Sequence, residues 1–75
     1  MFSDICVRLG ARIRELRHER GWTQFEMSER IGLDRSYVSE VETGKIEIRL
    51  RNLELVAQAF NLELHQLLKF PPKKR

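Results

Sequence analysis

Cysteine is almost missing from this 75-residue chain. Cys6 stands alone, which excludes an internal disulfide framework and fits a reducing cytosol. No apolar run approaches the roughly 20 residues of a membrane span, and the residues after Met1 lack a signal-peptide pattern. These absences predict a soluble, cytoplasmic protein. Cys6, His18 and His65 have no zinc-ligand spacing. No phosphate-binding glycine loop occurs and no nucleophile–base pair stands out. An enzyme is therefore not expected, nor a metal or cofactor. Carboxylates such as Glu15, Glu19 and Glu29 are accounted for as solvated helix faces near arginines three or four residues away. Aromatics make up only 8% of the chain, and no open stacking platform of the kind RNA-binding modules use is evident. Neither sign of charge dominates, with 14 Lys and Arg against 11 Asp and Glu. The net charge of +3 is compatible with a nucleic-acid partner without being diagnostic of one.

What is present is a chain 41% hydrophobic and 33% charged, a balance that suits a small helical domain. One domain is expected over residues 1–70, followed by a disordered basic tail, 71–75. A core this small makes partner-assisted stability plausible. The most informative stretch is GWTQFEMSERIGLDRSYVSEVETG, residues 21–44. Thr23 is a good N-cap, and Glu26 three residues later completes a capping box, with Trp22 and Met27 spaced as a hydrophobic staple. Asp34 repeats the cap signal, with Leu33 and Val38 as its staple pair. Between them, Gly32 stands where the first of the two helices must stop, a position favouring positive φ. Two helices this short bury no core by themselves. The expectation is a helix-turn-helix that presents its second helix to the DNA major groove.

Around this pair the periodicity places three more helices. The first runs from a Ser3 cap to about Glu19, with Leu9, Ile13 and Leu16 on one face and Gly21 ending it. The helix-turn-helix pair spans roughly 24–31 and 35–42, and Gly44 follows. A connector, Lys45 to Arg49, alternates Ile46 and Ile48 with charge but has no partner strand nearby. Leu53, Val56, Ala57 and Phe60 mark a fourth helix, and Leu64, Leu67 and Leu68 a short fifth one that Pro71 and Pro72 stop. Arg49 and Glu63 precede these two helices and are poor caps.

In order and spacing, Leu16-Arg17, Thr23-Gln24, Met27-Ser28, Gly32-Leu33, Val38-Ser39, Val41-Glu42, Gly44, Leu53, Val56-Ala57 and Phe60 resemble the Xre-type helix-turn-helix regulators. That family includes the lambda-like repressors and Cro. The resemblance covers about residues 8–70 and implies an all-α, five-helix, lambda-repressor-like fold. Within the family, Asp34-Arg35-Ser36-Tyr37-Val38-Ser39 and Gly44-Lys45, followed by Ile48, Leu50 and Asn52-Leu53, look like the controller proteins of restriction–modification systems. The resemblance also implies that Arg17 and Glu42 form a structural ion pair tying the third helix to the first. It assigns Gln24 a contact with the DNA backbone.

On a helical wheel Val38 and Val41 face the core, so Ser36, Ser39, Glu40 and Thr43 point outward, with Arg35 and Tyr37 on the flanks. Arg35 is the first candidate for reading a base, because its fork matches guanine O6 and N7. Its competing reading is an exposed first-turn side chain. Ser36 and Ser39 are small enough to let the helix approach and can bond bases or phosphate. Glu40 either accepts from cytosine N4 or sits at the solvated edge. Backbone contacts are expected from Thr23 and Gln24 at a helix start, where free N–H groups and the dipole favour an anion. Tyr37, Thr43, Lys45 and Arg49 are the other candidates for such contacts, with Tyr37 alternatively a packing residue.

Leu55, Leu62, Leu64 and Leu68 cannot all face one small core, and some should form a two-fold interface. The alternative is that Phe2, Ile5 and the first helix cover them. The resulting expectation is a homodimer binding double-stranded DNA at an inverted repeat and regulating transcription, within the cytoplasm and its nucleoid. Control of a restriction–modification locus is a refinement, and no small-molecule effector is inferred. The competing class is an antitoxin-like or adaptor protein whose main role is binding another protein. Substitution of Arg35 would leave such an adaptor indifferent.

Overall fold

The computed structural model describes residues 4–69. Ser3 and its cap, Phe2, the two prolines and the basic tail 71–75 lie outside the described residues. Five helices follow one another: α1 (Asp4–Glu19), α2 (Gln24–Ile31), α3 (Arg35–Glu42), α4 (Leu50–Ala59) and α5 (Leu64–Leu67). Among the described residues there is no strand. Ile46 and Ile48 of the connector instead pack, partly buried, against the helical core. No described helix is long and apolar enough to cross a membrane.

The core follows from the helical spacing of apolar residues. Ile13 from α1, Met27 from α2, Val56 from α4, Phe60 and Leu67 are its most deeply buried large side chains. Val38 and Val41 join them from α3. Each of the four longer helices ends in a reversal that satisfies its last carbonyls. After α3 the N–H of Lys45 bonds the Glu40 carbonyl at 2.9 Å and that of Gly44 bonds the Val41 carbonyl at 3.1 Å, a Schellman arrangement. Gly44 needs to be glycine on two counts. Its φ is +76°, and a Cβ there would stand 2.9 Å from Val7 Cγ2. After α4 the left-handed position is taken by Asn61, at φ 59°.

Helix starts are less uniform. Thr23 accepts from the Glu26 N–H at 3.0 Å while Glu26 Oε1 accepts from the Thr23 N–H at 2.8 Å, a complete capping box. Asp34 holds the N-cap backbone geometry but makes no side-chain cap bond. Its carboxylate Oδ2 accepts a hydrogen bond from the Ser36 hydroxyl at 3.1 Å instead, so the expected second cap is replaced by a side-chain pair. Arg49 precedes α4 without capping it. At Glu63 the weak cap is assisted from the other side, where Gln66 Oε1 accepts from the Glu63 N–H at 2.8 Å.

Three arginines of the first helix and its end bind the rest of the chain together. Arg12 donates to the Leu67 and Gln66 carbonyls at 3.1 and 2.9 Å, closing the C-terminus of α5. Arg20 does the same for the Phe60 carbonyl at 2.6 Å. Trp22 stacks on Phe60 with centroids 5.2 Å apart, and Arg30 covers the Trp22 ring at 4.3 Å. The third, Arg17, reaches α3.

Candidate nucleic-acid interface

α3 is short, and its orientation is set by contacts with α1. Arg17 Nε donates to Glu42 Oε2 at 2.6 Å and Arg17 Nη2 to Glu42 Oε1 at 3.1 Å, a two-pronged pair with both residues buried. The remaining prong of the guanidinium, Nη1, binds the Trp22 carbonyl at 2.8 Å. Gln24 Nε2 also donates to Glu42 Oε1, at 3.1 Å. One carboxylate thus joins α1, the first residue of α2 and the last residue of α3. Close to it, Gly10 lets the helices touch. A Cβ at Gly10 would clash with the Val41 carbonyl oxygen and stand 2.5 Å from that of Glu42. Charge geometry and the missing methyl group together leave α3 one position.

With Val38 and Val41 in the core, α3 turns Arg35, Ser36 and Glu40 fully outward and leaves Ser39 half-buried between them. These four lie along one exposed strip. The Ser36 proton is directed to Asp34, so its oxygen faces solvent as an acceptor. Thr43 is exposed, but its hydroxyl donates back to the Ser39 and Glu40 carbonyls at 3.0 and 3.2 Å. It must rotate before it can donate to anything else. Lys45 and Arg49 are exposed beyond the end of α3. Thr23 and Gln24 sit at the start of α2, the first engaged in the capping box and the second on Glu42. Tyr37 is half-buried, its ring against the core and its hydroxyl accepting from Asn52 Nδ2 of α4 at 3.1 Å.

The sequence pattern of the helix-turn-helix family matches residues 13–67. The chain belongs to that family. This helix-turn-helix chain is 40% identical over 73 residues to a hypothetical transcription factor of Neisseria meningitidis serogroup B, covering 97% of the chain and 68% of the relative. Its fold is that of the restriction–modification controller protein C.AhdI from Aeromonas hydrophila, with a TM-score of 0.80 and 40% identity over 83% of this chain and 94% of that one. A second controller, C.Esp1396I, solved as a tetramer in complex with its natural 35 base-pair operator, superposes with a TM-score of 0.79 and 25% identity, covering 88% and 91%.

Away from the helix-turn-helix, the leucines expected at a subunit interface divide. Leu62 and Leu64 pack, partly buried, against the core. Leu55 is half-buried and Leu68 is exposed. Ile5, which could have covered them, is itself exposed. Leu50, read from the sequence only as part of the controller-protein resemblance and not as an interface residue, is the most exposed large apolar residue described, at 72%. It shares a groove with Arg51, Glu54 and Leu64. Sequence reasoning missed the Asn52–Tyr37 bond, for which no local pattern exists, since its partners lie 15 residues apart. Phe25, 57% exposed on α2, was a second omission.

Proposed function

We propose that this helix-turn-helix protein is a sequence-specific, double-stranded DNA-binding transcriptional regulator that acts as a homodimer on an inverted-repeat operator. The observation that carries this reading is the outward strip of α3, held rigid from behind by the buried Arg17–Glu42 pair. Arg35 reads a base through its fork, with Ser36, Ser39 and Glu40 along the same face. Ser36, whose oxygen is left as an acceptor, suits an exocyclic amine. Glu40 accepts from cytosine N4. Thr23, Gln24, Tyr37, Thr43, Lys45 and Arg49 flank that strip and contact the backbone, fixing register without reading sequence.

One small module reads few base pairs, so two copies are needed for useful specificity. Leu50, Leu64 and Leu68, with Leu55 and Leu62 behind them, supply the second-copy face. The protein works without catalysis, cofactor or small-molecule effector, in the cytoplasm on nucleoid DNA. The likeness to controller proteins supports a restriction–modification locus as its setting.

Selection of bound duplexes from a random DNA pool at near-physiological salt, with wild type and Arg35→Ala in parallel, tests the proposal. The expected result is an inverted repeat with half-sites about one helical turn apart, relaxed at one base position in the variant. Binding without enrichment that decays steadily with salt would leave only nonspecific attraction and defeat it.

A further inference from the structure

We infer that Asn52 is a positioning residue for DNA binding: by donating to the Tyr37 hydroxyl it turns that hydroxyl's proton outward, making Tyr37 a donor to a phosphate oxygen. The inference rests on the DNA-binding reading above and deepens it. A phenolic hydroxyl has one proton and two acceptor lone pairs. Asn52 Nδ2 lies 3.1 Å from the Tyr37 oxygen, and an amide nitrogen has only protons to offer. One lone pair is thereby occupied, and among the described residues no acceptor takes the tyrosine's own proton. The ring has little freedom to seek one, because it is half-buried against the core cluster and lines a small apolar cavity with Ile13, Met27 and Val56. Tyr37 is left as a fixed donor at the seam between α3 and α4.

What faces that seam is electropositive. Asn52 stands in the first turn of α4, where the helix dipole is positive. The exposed Arg49, directly before the helix, adds positive charge at the same end, while Arg51 lines the groove beside Leu50. A donor in a positive field selects an anionic acceptor, and on a duplex that is a phosphate oxygen rather than a neutral base carbonyl or ring nitrogen. A hydroxyl whose oxygen already accepts a bond is also polarised into a better donor.

The test uses the duplex enriched by wild-type selection, with binding read by fluorescence anisotropy. Proteins are wild type, Tyr37→Phe, Asn52→Ala, the milder Asn52→Ser and the double variant Tyr37→Phe/Asn52→Ala. Each is confirmed folded at the assay temperature by circular dichroism. Tyr37→Phe and Asn52→Ala should each weaken binding about tenfold, the value of one charge-assisted bond. In the double variant the loss should stay within about twofold of either single one, because the two residues act through one proton.

A scan of single methylphosphonate substitutions along the duplex supplies the readout that a merely structural role would not move. Wild type should show a phosphate whose neutralisation weakens binding, and that sensitivity should vanish in Tyr37→Phe, Asn52→Ala and Asn52→Ser alike. Additive losses, or a phosphate sensitivity that survives in both Asn52 variants, would overturn the assignment of Asn52 alone. A pool that yields no enriched duplex would instead overturn the DNA reading, and this inference with it.

Discussion

At the scale of single residues, Glu42 carries the most. Its carboxylate is buried and receives donors from Arg17 and Gln24. Glu42→Ala would strand the buried Arg17 guanidinium, and breaking such a pair costs about 3–5 kcal/mol. In a domain of this size that corresponds to a fall in Tm of more than about 12 °C by thermal melt. A shift of a few degrees would mean that water or rotation of Arg17 replaces the pair, and α3 would then be less firmly held than argued. Gly10 offers a test of opposite sign. In an open helix, Gly→Ala raises stability by roughly 0.5–1 kcal/mol. Here the added methyl would meet the backbone of Val41 and Glu42, so Gly10→Ala should lower Tm. A higher Tm would show that α1 and α3 can separate at little cost. The pairing of Arg17 with Glu42 was legible only through resemblance to a family, since nothing local links residues 25 apart. Gly10 gave no signal, because a glycine inside an amphipathic helix does not say what crosses it.

At the scale of elements, the bounds of α2 and α3 match the spans expected from caps and periodicity, 24–31 and 35–42. What the caps do was less legible. Thr23 and Asp34 carry the same signal in sequence, yet only Thr23 closes a box. Asp34 lacks a Glu or Gln three residues on and has Ser36 within reach, so its oxygen takes a hydroxyl rather than a backbone N–H. The two positions should therefore respond differently. Thr23→Ala should cost about 1 kcal/mol, while Asp34→Ala should cost at most a few tenths, both by denaturant melts. Equal losses would show that Asp34 caps α3 in solution. The turn after α4 was also invisible in advance, because Asn61 does there what glycine does elsewhere, and asparagine tolerates that backbone at a higher cost than glycine.

At the scale of the whole molecule, an excess of leucine over what one small core can hold was plain from the sequence, but its location was not. Periodicity resolves an inner from an outer face only where a residue has neighbours three and four places away on both sides. Leu50 is the first residue of α4 and has none before it, which is why the most exposed leucine was not placed among the interface candidates. Leu62 and Leu64 are half-buried instead, packed on one side against the core, and Leu64 on the other borders the groove beside Leu50. If Leu50, together with Leu64 and Leu68, forms the face between two copies, Leu50→Glu places a carboxylate in that face without touching the core. Its unfolding free energy as a dilute monomer should stay within about 0.5 kcal/mol of that of wild type, as expected for an exposed site. Sedimentation should show wild type as a dimer and the variant as a monomer at the same concentration. On an inverted-repeat duplex the variant should lose the tight component, while on a single half-site the two proteins should bind alike, because α3 and its strip are unchanged. A variant that remains dimeric and keeps full affinity would move the interface elsewhere on the molecule, with the exposed Ile5 and Val7 end of α1 the next face to test.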